Sequence, residues 1–110
     1  MTTLLNVLTV DPANQAQLLD LLRANTDSVI RTLDGWISTA LIASSDGTRV
    51  VIHSEWRDAA CIDAMRRDPR MVAYFPRIAA LASLASIAGD VAYSVRRGRE
   101  AEPQLAGVRS

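Results

Sequence analysis

Residues 35–56 read GWISTALIASSDGTRVVIHSEW. Two β-rich runs flank Ser45-Asp46-Gly47, whose composition is that of a tight turn, with Gly47 free to take positive φ. The stretch predicts a hairpin. Strand parity sends Val50, Ile52, Ser54 and Trp56 to one face and Val51, His53 and Glu55 to the other. A strand that ends on an indole has a core or a pocket to place it in.

The flanks extend the pattern. TLLNVLTV, residues 3–10, predicts a first strand, and Asp11-Pro12 supplies a cap and a proline for a helix start. Leu18, Leu19, Leu22, Val29, Ile30 and Leu33 recur at helical spacing, which predicts one amphipathic helix over residues 12–33, ended by Asp34-Gly35. Asp58 caps a short helix carrying Cys61, Ile62 and Met65. Asp68-Pro69 starts another that runs to about residue 83, with a break or kink at Pro76. Residues 90–95 predict the last strand, and residues 98–110 a polar tail beyond a domain of residues 1–97. The resulting order, β-α-β-β-α-β, is an α+β, ferredoxin-like arrangement of four antiparallel strands with helices on one face. The bare face, with Val51 and His53 on it, calls for a second copy packed sheet to sheet, a homodimer.

Composition narrows the function. The chain has 110 residues, 49% of them hydrophobic, and zero net charge, so it holds one core and has no basic excess for nucleic acid. All basic residues are arginine, and Arg66, Arg67 and Arg70 read as a solvated helix junction. The single Cys61 fits a reducing cytoplasm. Neither a signal peptide nor a membrane span is expected. Zinc spacings, phosphate loops and nucleophile triads are absent from the sequence.

With Asp34-Gly35-Trp36, the SSDGTRVV turn, Trp56 before an acidic helix start, and Asp68-Pro69-Arg70, the chain resembles the antibiotic biosynthesis monooxygenase family of dimeric α+β barrels over residues 3–95. The likeness is strongest to the cofactor-independent anthrone oxygenases of aromatic polyketide pathways. It implies oxidation of a polycyclic phenol or anthrone to a quinone, with molecular oxygen as co-substrate and no cofactor. The substrate anion reduces oxygen, and the protein orients the ring and excludes water.

Trp56 falls on the family's pocket tryptophan. The resemblance makes Trp56 and Asn6 candidate catalytic residues; Tyr74 and Arg77, three apart on the helix that covers the sheet, join them as a phenol and a guanidinium for an anionic ring, and Trp36, Ile52, Ser54 and Ile62 are the candidate substrate-binding residues. Three polar family positions are apolar here: Ile52 replaces an asparagine, Ile62 a tyrosine and Ile42 a histidine. Heme-degrading members pair a first-strand asparagine, matched by Asn6, with the same tryptophan, but near their helix histidine this chain has Tyr74. A non-oxidative cyclase or isomerase and a non-catalytic ligand or heme carrier are the alternatives.

Overall fold

The computed structural model describes residues 1–97; the polar tail expected over residues 98–110 lies outside them. Its elements are β1 (Thr2–Val10), α1 (Gln15–Ser28), β2 (Trp36–Ala43), β3 (Arg49–Trp56), α2 (Ala59–Arg67), α3 (Pro69–Ala79) and β4 (Ala82–Gly89). The strands form one antiparallel sheet in the order β2-β3-β1-β4, the expected α+β, ferredoxin-like topology.

The hairpin forms as its turn residues predict. Gly47 has φ +80°. Asp46 Oδ1 accepts hydrogen bonds from Thr48 N at 2.9 Å, Thr48 Oγ1 at 2.7 Å and Ser44 Oγ at 2.8 Å. These donors, those of Thr48 foremost, hold the Asp46 carboxyl at about 2, against an ordinary 3.8. Its folded value lies below its unfolded one, so this contribution is complete above about pH 4 and is lost as the pH falls toward 2. Asp46→Asn is therefore expected to flatten part of the acid limb of melting temperature against pH. An unchanged limb would contradict the assignment.

Gln15 ties the first helix to this turn, its Nε2 donating to Ser44 O at 3.1 Å and Arg49 O at 3.0 Å. The helix expected over residues 12–33 is divided. A 3-10 turn, Pro12–Asn14, precedes α1, and a second, Ile30–Thr32, follows a break at Val29 with φ −124° and ψ −63°. Thr26, Ser28 and Thr32 send their hydroxyls to the carbonyls of Leu22, Ala24 and Val29, a competition that weakens regular helix.

Two further expectations are corrected. Pro76 does not break α3, which continues to Ala79; the proline withholds one N–H from, and crowds, the turn before it, while its own carbonyl still accepts from Ala80 N at 3.0 Å. The last strand occupies Ala82–Gly89, not residues 90–95, and the helix ends before residue 83. Alanine and serine in this run carry no β preference of their own. Pairing with the free edge of β1, from Val10 opposite Ala82 to Thr3 opposite Gly89, overrides local propensity.

Helices cover one face of the sheet. Two buried clusters form there, one around Trp56 with Leu4, Ile62 and Met71, the other around Leu8, Leu18, Leu22 and Val50. Cys61 is a buried core residue of the first. The other face is bare. His53 lies on it, its Nε2 at 2.9 Å from Glu55 Oε2, and Thr3 Oγ1 donates to the same carboxylate. Ile42 and Ile87 are exposed, and Leu5, Val7 and Val51 half-buried. Among the described residues no helix is long and apolar enough to cross a membrane.

Candidate active site

The two clusters do not close on each other. Between them lies a cavity of about 520 Å³, lined by Leu4, Trp56, Met65 and Met71 of the first and by Leu8 and Leu22 of the second. Sites for small organic molecules span about 300–1,000 Å³. The sheet supplies one wall. Alternation on β1 aims Leu4, Asn6 and Leu8 at the helices, and β3 adds Ile52, Ser54 and Trp56. Phe75 and Ile78 of α3 and Ile30 after α1 form the opposite side. Leu84 and Ser86 line it from β4, an edge strand.

Of the residues predicted from sequence, Asn6, Ile52, Ser54 and Trp56 come together here. Trp56 is 1% exposed and its Nε1 donates to Ser54 Oγ at 3.0 Å, while Ser54 donates on to Leu4 O at 3.4 Å. The polar atoms of this pair are thereby occupied, and what it shows the cavity is shape. Asn6 stands opposite Ile52 on one side and Ser86 on the other, and the Ser86 hydroxyl donates to its Oδ1. Its amide nitrogen remains as a donor for a ligand oxygen.

Tyr74, Arg77, Trp36 and Ile62 are not among the lining residues. Tyr74 packs against the Trp56 cluster with its hydroxyl 3.2 Å from Ser28 Oγ, and the Arg77 guanidinium lies over its ring at 5.0 Å, a cation–π contact. The Trp36 indole donates to Thr39 Oγ1 at 2.8 Å, and Ile62 is buried core. Of the three isoleucines at family polar positions only Ile52 lines the cavity, since Ile42 lies on the bare face.

Among the lining residues that the sequence reading did not single out, two bear on the chemistry. Arg66, read there as solvated, lines the cavity, with 45% of its side chain exposed and Asp63 at 4.0 Å as its acidic neighbour. It is the one charged side chain of the lining among the described residues, which includes no histidine or carboxylate. Asn25 of α1 is the other. It is 5% exposed, and its Oδ1 is buried without a hydrogen-bond partner among the described residues. Its signal was its place on the apolar stripe Leu18, Leu22, Asn25, Val29. Neither His53, on the opposite face, nor Tyr74 offers an axial ligand to a heme in this cavity. Among the described residues no three His, Cys, Asp or Glu side chains cluster to hold a metal ion.

Against known proteins, residues 1–77 match the family model described as antibiotic biosynthesis monooxygenase. Tetracenomycin-F1 monooxygenase of Streptomyces glaucescens is 40% identical over 73 residues, covering 66% of this chain and 65% of the relative. The chain thus spans just under two thirds of that relative's length. Among solved structures, the monooxygenase from the gene ActVA-Orf6 of Streptomyces coelicolor, in complex with nanaomycin D, superimposes with TM-score 0.80 at 22% identity, covering 88% of this chain and 92% of its own. SnoaB, a cofactor-independent oxygenase of Streptomyces nogalater, gives 0.73 at 17% identity, covering 87% and 97%. These structural likenesses carry the fold.

Proposed function

The chain belongs to the antibiotic biosynthesis monooxygenase family, and from that premise we propose that it oxidises a polycyclic aromatic phenol or anthrone to a quinone with molecular oxygen and no cofactor. The observation that supports this most is the cavity itself: apolar on both walls, large enough for fused rings, and carrying two amides and a single guanidinium. The 40% identity to tetracenomycin-F1 monooxygenase points to an aromatic polyketide as the substrate class.

The chemistry follows from what the lining holds. Among the described residues no imidazole or carboxylate lines the cavity, so in this reading the substrate is acidic enough to give up its proton to water. Arg66 and the Asn6 amide lower that cost by stabilising the anion, the more so where apolar walls exclude solvent. The anion then passes one electron to oxygen. The resulting radical and superoxide combine to a carbon-bound peroxide, and loss of the remaining C–H proton with departure of water leaves the carbonyl. One oxygen molecule is consumed and one water released per anthrone. A cyclase or isomerase would need a positioned acid–base pair, which the described lining residues do not supply. Trp56 and Ile52 hold the ring plane in this reading. Tyr74 and Arg77, one layer behind the wall, would act on the ring only through the packing around them.

The working unit in this reading is a homodimer. Ile42 is 51% and Ile87 66% exposed on the bare face, beside Leu5, Val7 and Val51, and a second copy would cover them. The dimer is placed in the cytoplasm, where the buried free thiol of Cys61 stays reduced.

Oxygen uptake with a panel of anthrones, in buffer with chelator, tests the proposal. The expected result is one oxygen consumed per quinone formed, with product mass raised by one oxygen and lowered by two hydrogens. Asn6→Ala and Arg66→Gln should each lower kcat/KM by about tenfold or more, the effect of removing a donor to a developing anion. Uptake no faster than the uncatalysed rate across the panel would overturn it.

A further inference from the structure

We propose that Ser86 is a positioning residue for Asn6, its hydroxyl bonding the Asn6 carbonyl so that the amide nitrogen faces the ligand anion. The anion comes from the oxygenase reading; the geometry comes from the sheet. β1 and β4 pair with Asn6 directly opposite Ser86, which sets the two side chains side by side on the face turned to the helices. Both line the cavity, and Ser86 Oγ donates to Asn6 Oδ1. The other neighbours of Asn6 in the sheet offer no substitute. Leu4 and Leu8 flank it along β1, and Ile52 stands across from it on β3. Ser54, diagonal to it, already donates to Leu4 O and accepts from the Trp56 indole. Among the described residues Ser86 is the one side-chain partner of the Asn6 carbonyl.

A primary amide has two ends of opposite sign, a carbonyl that accepts and an NH2 that donates. Turned the wrong way, Asn6 would set its oxygen against a phenolate. A serine hydroxyl can donate or accept, so Ser86 does not by itself fix the amide of the empty protein. Once an anion lies in the cavity, the nitrogen is drawn to it, and Ser86 meets the carbonyl with its O–H. The chain then runs from hydroxyl to carbonyl and from amide to anion, with every donor aimed the same way, so that each bond strengthens the next. An aliphatic side chain at position 86 removes the first link and leaves the carbonyl without its partner as charge develops. Ser86 is exposed on an edge strand, so exchanging it leaves the core intact.

The test compares Ser86→Thr with Ser86→Val, side chains of one shape that differ by a hydroxyl and are both suited to a strand. Both fill the space that an alanine would open to water. The probe is 2-hydroxyanthraquinone, whose phenolate absorbs at longer wavelength than the phenol and which, already a quinone, consumes no oxygen. A spectrophotometric pH titration of the bound probe should find its ionisation lowered by the wild type and equally by Ser86→Thr. In Ser86→Val the midpoint should lie about 0.7–1 pH unit higher, a fivefold to tenfold loss in favour of the anion. Arg66 lines the cavity in every variant and cancels in the comparison. In an Asn6→Leu background the Thr and Val variants should agree, because Ser86 acts only through the amide. With an anthrone, Ser86→Val should lower kcat by the same factor and leave KM within about twofold, since the charge develops after binding. Equal midpoints in Ser86→Thr and Ser86→Val, or a difference that persists without Asn6, overturns the proposal and leaves the oxygenase reading intact. A probe whose ionisation the wild type does not lower also overturns it, there being no anion for the amide to face. Failure of the wild type to bind the probe overturns both. The expected midpoints without oxidation of any anthrone uphold Ser86 in its role and remove only the oxygenase.

Discussion

Gly35→Ala is expected to destabilise the domain by about 2–5 kcal/mol, a large share of the roughly 5–15 kcal/mol that holds such a fold. Two costs add. Gly35 has φ +82°, where an L side chain is strained. An added Cβ would also stand 2.3 Å from Cys61 Sγ and 2.8 Å from Cys61 Cβ, which no rotamer of alanine relieves. Nor can the backbone move freely. Gly35 O accepts from Arg57 N at 2.7 Å, and Trp36 pairs with Trp56 in the next register position, so displacing Gly35 displaces the strand end that carries the indole. Thermal unfolding should show a drop of ten degrees or more, at roughly 4–8 °C per kcal/mol. Adding Cys61→Ala removes the sulfur clash and leaves the Cβ contact. The double variant should therefore recover part of the loss, a coupling of the kind a mutant cycle measures. Equal stability of Gly35→Ala and wild type would show that the β2 start is looser than its contacts imply.

The same junction shows why some of the site was legible in the sequence. Parity along residues 50–56 is a property of the extended chain, so Ile52, Ser54 and Trp56 could be placed on one wall before any packing was known. Asn6 was conspicuous because asparagine is uncommon within strands. Asn25 and Arg66 were fainter. Asparagine on a helix is ordinary, and its place on the leucine stripe is a signal that acquires weight only once burial is known. Arg66 sits in an arginine-rich run that reads as solvated, and its approach to the cavity depends on how α2 packs beneath Trp56. Tyr74 and Arg77 were placed by helical spacing, but spacing alone cannot tell the layer that faces the cavity from the layer behind it. β4 was misplaced for a related reason: a run of alanine and serine takes its structure from the edge it pairs with.

The site therefore depends on the space between two partial cores, and Trp56 is the bulkiest of the fully buried side chains that line it. Trp56→Ala should lower stability by about 3–5 kcal/mol, the usual cost of emptying a buried aromatic site. It should also abolish oxygenation, since the wall that fixes the ring plane would be gone. That variant alone cannot separate core from site, so Trp56→Phe is the more telling one. Phenylalanine keeps most of the apolar contact but loses the Nε1 donor to Ser54, a loss worth about 1 kcal/mol. With the indole shortened and Ser54 freed to reorient, the cavity wall moves by fractions of an ångström to an ångström, and misplacement on that scale costs up to about a hundredfold in rate. The expected result is a Trp56→Phe protein that unfolds only slightly earlier in urea but oxidises anthrones at least tenfold more slowly. A variant equally stable and equally fast would return Trp56 to a packing role, and the orientation of the ring would then rest on Ile52, Asn6 and Arg66.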